Sequence, residues 1–129
     1  MTVAITTLRN TLATALVDNT RWQTFEFPPA TILANSLIIS PNDPYIVANN
    51  NQWNISPTAR FRLTLTTPLY DNQGNLNGIE DSLVALFNKL SVCGLSLTIG
   101  GVSAPSIMTV PSGDLLSVEI DIETLTTWS

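Results

Sequence analysis

Two stretches of this chain alternate with a period of two. From Arg60 to Thr66, Phe61, Leu63 and Leu65 fall on one side and Arg60, Arg62, Thr64 and Thr66 on the other. From Leu116 to Glu123, Leu116, Val118, Ile120 and Ile122 alternate with Ser117, Glu119, Asp121 and Glu123. Successive side chains of a strand leave opposite faces, so each stretch predicts a strand with one apolar and one wet face. A sheet of such strands must be covered on its apolar side. Two helical patterns can supply that cover. Residues 3 to 17 place Ile5, Leu8, Leu12, Ala15 and Leu16 at helical spacing, with Arg9, Asn10 and Thr14 opposite. Gly78 to Leu90 carries Ile79, Leu83, Leu86, Phe87 and Leu90 as an apolar stripe. Asn77 can cap that helix, with Glu80 three residues on, Asp81 in the first turn and Lys89 in the last.

Prolines punctuate the remainder. Trp22 to Phe27 is a short strand candidate stopped by Pro28 and Pro29, whose rings cannot donate to a ladder. Leu37, Ile38 and Ile39 form a continuous apolar run, the pattern of a strand covered on both faces, ended by Pro41 and Pro44. Asn42 to Pro57 turns to Asn, Pro and Gln around Tyr45 and Trp53 and predicts a long loop. Tyr70 to Gly78 reads as a turn. Cys93, Leu95, Leu97 and Ile99 predict another strand, broken at Gly100-Gly101 and followed by a loop containing Pro105 and Pro111. Helix, strands, helix, strands, with antiparallel-type alternation, predicts an α+β fold: a mainly antiparallel β-sheet packed with two α-helices. A length of 129 residues fits a single domain with one core, residues 1–129.

Composition removes many functions. Hydrophobic residues make up 44% and charged residues 12%, enough apolar matter to offset ordering entropy, so the chain folds. A net charge of -5, with Lys89 and four arginines as the only cations, argues against a phosphate-binding groove and sequence-specific nucleic-acid binding. The absence of histidine excludes Ser-His-Asp and Cys-His nucleophiles and histidine-bound zinc. Cys93 is a lone cysteine and reads as a small apolar residue. The Asp71 to Gly78 run fails the calcium-loop registers, and no dinucleotide or Walker pattern surrounds Gly100-Gly101. No cofactor or metal is expected. No apolar run approaches the roughly 20 residues that span a bilayer, and Met1 opens no signal-peptide pattern. Synthesis in a cytoplasm is expected, and the Asn54-Ile55-Ser56 sequon is read as incidental.

Two groups of residues remain as candidate contacts. Arg60 and Arg62 share one strand face, as do Glu119, Asp121 and Glu123. If the strands are neighbours, these form a cross-strand charge ladder; a second reading pairs them between subunits. Alternate positions about 7 Å apart also fall within the range of inverting glycosidase carboxylates, but nothing nearby offers a sugar platform except Trp128. Tyr45 and Trp53, in the expected loop, are either core or interface aromatics.

Phe25-x-Phe27-Pro28-Pro29, a spacer, the strand Leu37 to Ile39, and then Pro41-x-Asp43-Pro44-Tyr45 resemble the early part of tail terminator proteins of long-tailed bacteriophages. The order of the remaining elements is similar across nearly the whole chain. The sequence departs from the family at Asn35-Ser36, where proline often precedes the strand, and in a short segment after Glu123. The resemblance implies a non-enzymatic virion protein of the neck. It would form a homo-hexamer on the head-proximal end of the tail tube, assembled in the host cytoplasm. Such a ring stops tube polymerisation and docks a head-completion or stopper protein; its implied partners are the tail tube protein, that stopper and, in a contractile tail, the sheath protein. DNA would pass through the ring, and an acidic chain suits a lumen that does not hold it. Stiff prolines would lower the ordering cost of loops that join subunits. Three other readings stay open: another neck component such as a head-tail adaptor, an exported pilus or surface subunit, and a carboxylate-dependent hydrolase. Candidate contacts are Tyr45, Trp53, Arg60, Arg62, Glu119, Asp121 and Glu123. Trp53→Ala is expected to weaken assembly while leaving the monomer's melting temperature nearly unchanged, as read by thermal denaturation beside native mass spectrometry.

Overall fold

The computed structural model describes residues 3–18, 21–26, 29–32, 34–50, 55–68, 73–95, 97–111 and 113–127. Along the chain the elements are β1 (Val3–Ala4), α1 (Ile5–Ala15), β2 (Gln23–Phe25), β3 (Ser36–Asn50), β4 (Ile55–Pro68), α2 (Gln73–Ser91), β5 (Leu97–Val102), β6 (Ser106–Val110) and β7 (Gly113–Thr127). The result is the expected α+β fold, mainly sheet.

The two alternating stretches lie side by side. β4 and β7 pair antiparallel from Thr58 opposite Leu125 to Pro68 opposite Leu115. That register sets Phe61 against Ile122, Leu63 against Ile120 and Leu65 against Val118, all buried. β3 adds Leu37 beside Leu65 and Ile39 beside Leu63. These side chains form one cluster with Leu8, Leu12 and Leu16 around α1 and with Ile79, Leu86 and Leu90 of α2, so both helices cover the same face. Each large side chain buried there contributes roughly 1.5–3 kcal/mol.

The sheet runs β1-β7-β4-β3-β2, with β5 and β6 also on β7. β2 joins β3 in parallel over Gln23 to Phe25, and β1 joins β7 in parallel at Thr126 and Thr127; the other pairings are antiparallel. β6, β5 and β1 follow one another along the side of β7 that β4 leaves free.

Local chemistry explains the connections. Trp22 is buried and donates its indole N–H to the Leu16 carbonyl at 2.9 Å, satisfying an acceptor just past the end of α1. Asn35 precedes β3 in the left-handed region, at φ 56°, and its carbonyl accepts the Gln23 N–H at 2.9 Å. Proline is fixed near -65° and could not take that conformation, which accounts for an asparagine at this position.

Several expectations are corrected. Asn42 to Pro57 is not a long loop: β3 runs through Pro41 and Pro44 to Asn50, and β4 begins at Ile55. Pro41, opposite Phe61, is the last residue paired with β4 before the register shifts and Pro44 lies within the shift, an irregular place where strands tolerate proline. α2 begins at Gln73 rather than Gly78, so Asn77 is not its cap, and Glu80 and Asp81 lie beyond its first turn. The Asn/Gly-rich run reads as a turn, yet α2 takes it in from Gln73 on, at a cost of about 1 kcal/mol for an interior glycine. Lys89 does lie in the last turn. β5 starts at Leu97, not Cys93, because α2 extends to Ser91. Gly100-Gly101 does not break it; the register slips between Ile99 and Gly101, where φ is +156° at Gly101, as in a glycine-assisted bulge. The expected loop after Gly101 contains the further strand β6, which pairs with β7 from Ser106 opposite Ser117 to Val110 opposite Gly113. Phe27, Pro28, Tyr70, Asp71 and Trp128 lie outside the described residues.

No helix among the described residues is long and apolar enough to cross a membrane. Phe61→Ala is expected to lose about 3–5 kcal/mol of unfolding free energy in urea titration. Val84→Ala, on the exposed side of α2, is expected to stay within about 0.5 kcal/mol of the parent.

Candidate functional site

The face of the sheet away from the helices carries the charged residues singled out above. β4 presents Arg60 opposite Glu123 and Arg62 opposite Asp121 of β7, with Glu119 opposite Thr64. Arg60 Nε lies 3.2 Å from Glu123 Oε1. Arg62 Nε lies 3.1 Å from Asp121 Oδ1 and 3.6 Å from Glu119 Oε2. Three carboxylates therefore share two guanidinium groups within one subunit, in the cross-strand ladder that neighbouring strands allow.

β3 extends the network. Asn42 Nδ2 donates to Asp121 Oδ1 at 3.2 Å, Ser40 Oγ donates to the Arg62 carbonyl at 3.2 Å, and Arg60 Nη1 reaches the Pro44 carbonyl at 3.4 Å. The irregular stretch of β3 is thus tied across β4 to β7. The charged side chains are partly to half exposed, so each pair contributes only a few tenths to about 1 kcal/mol. Among the described residues, no group of three or more carboxylate or thiolate side chains could hold a metal ion.

Tyr45 lies in a strand, not in the loop expected around it. It is half-buried in β3, packs against the core cluster and meets Phe61 edge-on, with ring centroids 5.6 Å apart at 67°. Continuation of β3 past Pro44 brings its ring to the sheet. Trp53 lies outside the described residues, in the segment connecting β3 to β4. The structure brings the five charged candidates together on one face and leaves Tyr45 apart from them.

Sequence reasoning missed the two sheet edges. On one side, β2 covers β3 only at Ser36 to Ile38, and no described strand lies beyond Ile39 to Asn50. On the other, nothing described pairs with the outer side of β5 and β6. Large apolar side chains stand exposed along both edges: Val47 on β3, Ile99 and Val102 on β5, and Ile107 on β6. A signal for them exists in the sequence. No charged residue occurs from Tyr45 to Ala59 or from Leu90 to Gly113.

Compared with known proteins, the chain matches no protein-family model and no curated protein.

A double-mutant cycle with Arg62→Met and Asp121→Asn is expected to give a coupling of a few tenths to about 1 kcal/mol in the monomer, weakened by salt. A coupling well above this range, seen only in an assembled form, would mean that the pair is desolvated between subunits.

Proposed function

We propose that this protein is a structural component of a bacteriophage neck, a tail terminator whose subunits form a hexameric ring on the head-proximal end of the tail tube. The ring stops tube polymerisation and presents a docking surface to the head-completion or stopper protein. Its work is recognition and closure, and no side chain is assigned a catalytic role.

The observation that carries this reading is the open sheet. It has two dissimilar edges, β3 on one side and β5–β6 on the other, each with exposed apolar side chains. Head-to-tail association joins two different surfaces of identical subunits and gives a ring when the rotation closes. The fold supports the reading as well: two helices on one face of a mainly antiparallel sheet, in the chain order that the resemblance implies. The self-paired charges of the other face leave little net field to attract DNA, which suits a subunit around a DNA channel.

Native mass spectrometry over a concentration series is expected to show a six-copy species. Electron microscopy of tail tubes mixed with the protein is then expected to show growth stopped at one end. A protein that stays monomeric and leaves tube length unchanged would overturn the reading.

A further inference from the structure

We propose that subunits of the ring join by strand addition: the outer edge of β3 at Ile46–Asn50 in one copy pairs with the outer edge of β6 at Ser106–Val110 in the next. The inference rests on the ring reading above and names the contact that closes it.

Unpaired backbone N–H and C=O groups along an edge are a template for another strand unless something blocks them. On β3 the stretch before Tyr45 is blocked by Pro41 and Pro44 and by the register shift between Pro41 and Ile46. On the other edge the bulge at Gly100-Gly101 and then Pro105 interrupt the strand. Among the described residues the longest regular, proline-free window on each free edge is Ile46–Asn50 and Ser106–Val110, matched in length. Both are regularly paired on their inner sides, to β4 and β7 respectively, so the backbone is already held as a strand.

Charge decides the partner. Exposed edges are commonly guarded by charged side chains, and here every charged residue lies outside Tyr45–Ala59 and Leu90–Gly113. Neither window repels the other, and neither offers a charge to a charged partner. Val47, 39% exposed and opposite Thr58, stands on the charged face, and Ile107, 63% exposed and opposite Leu116, on the face of the helices, so each supplies apolar surface to a different face of the junction. The windows are different segments on opposite edges of the sheet, so their pairing is head-to-tail, as ring closure requires.

Two variants test this. Val47→Lys with Ala48→Lys blocks only the β3 window, and Ile107→Lys with Thr109→Lys blocks only the β6 window; all four positions are exposed, so both chains keep their fold by circular dichroism. Should a double variant lose its fold, Val47→Lys and Ile107→Lys alone replace it. Each variant by itself is expected to be monomeric at concentrations where the parent is fully ring. Mixed, they retain one intact junction, and native mass spectrometry is expected to show a one-to-one heterodimer that neither forms alone. Rings that persist in both variants would overturn the strand contact and leave the ring reading standing. A folded pair that yields no heterodimer would overturn it too. Variants that form rings yet fail to cap tubes would assign the windows to the tube protein instead of a second copy. A parent that is monomeric at every concentration and on tubes would overturn contact and ring together.

Discussion

Antiparallel pairing between β4 and β7 is the interaction on which the rest of the structure depends. Its register puts Phe61, Leu63 and Leu65 beside Ile122, Ile120 and Val118, and so makes the apolar surface that the helices cover. The same register, one residue out of phase, puts Arg60 and Arg62 beside Glu123 and Asp121. A slip by one residue would turn charges toward the core and leucines toward water. Burial on one face and ion pairing on the other therefore enforce a single alignment. Of the two, burial dominates in energy, since partly exposed ion pairs add little while each buried side chain adds a few kcal/mol.

β7 also organises the far side of the sheet. β6, β5 and β1 occupy successive lengths of its free side, with a register shift inside β5 and a break between β5 and β6. At the break between β5 and β6, Ser103 keeps the connection: its N–H donates to the Glu119 carbonyl at 2.8 Å and its hydroxyl oxygen accepts the Glu119 N–H at 2.9 Å. The edge is thus interrupted without being released. The prolines of β3 act comparably on the opposite side, where the strand bends without ending. Interruption on both edges limits where another strand could add, which is how an exposed sheet avoids indiscriminate pairing.

Fold class, helix faces and the two principal strands were legible in the sequence because each rests on a repeating pattern, of two residues or of about 3.6. Leu8 and Leu12, or Phe61 and Leu63, declare their side of an element without reference to the rest of the molecule. Boundaries were less legible. Pro41 and Pro44 read as strand ends because proline is costly inside a ladder, and nothing local signals that an edge position and a bulge remove that cost. Gly100-Gly101 misled for the same reason, and the Asn/Gly-rich run before Ile79 hid the first turn of α2. The charge ladder was readable as a conditional statement, awaiting only the adjacency of two strands. Tyr45 stayed open between core and interface because its neighbours in sequence are polar, whereas its neighbour in space is Phe61. The uncharged edge segments carried a legible sign, a lack of charge, but a lack of charge has no period and points to no partner until the topology is known.

The placement of β7 also bears on how the molecule comes into being. Ribosomes deliver the chain in order, and the strand at the middle of the sheet, residues 113–127, emerges after all the others it must join. Before then β3 and β4 can form only a hairpin, an arrangement marginal in water without further strands, and Arg60 and Arg62 have no carboxylates opposite them. Contacts between residues 58–68 and 115–125 span much of the sequence, so folding waits on a large loop closure and is slow for a chain of this size. An incomplete nascent chain consequently lacks the strand on which β5, β6 and β1 are held.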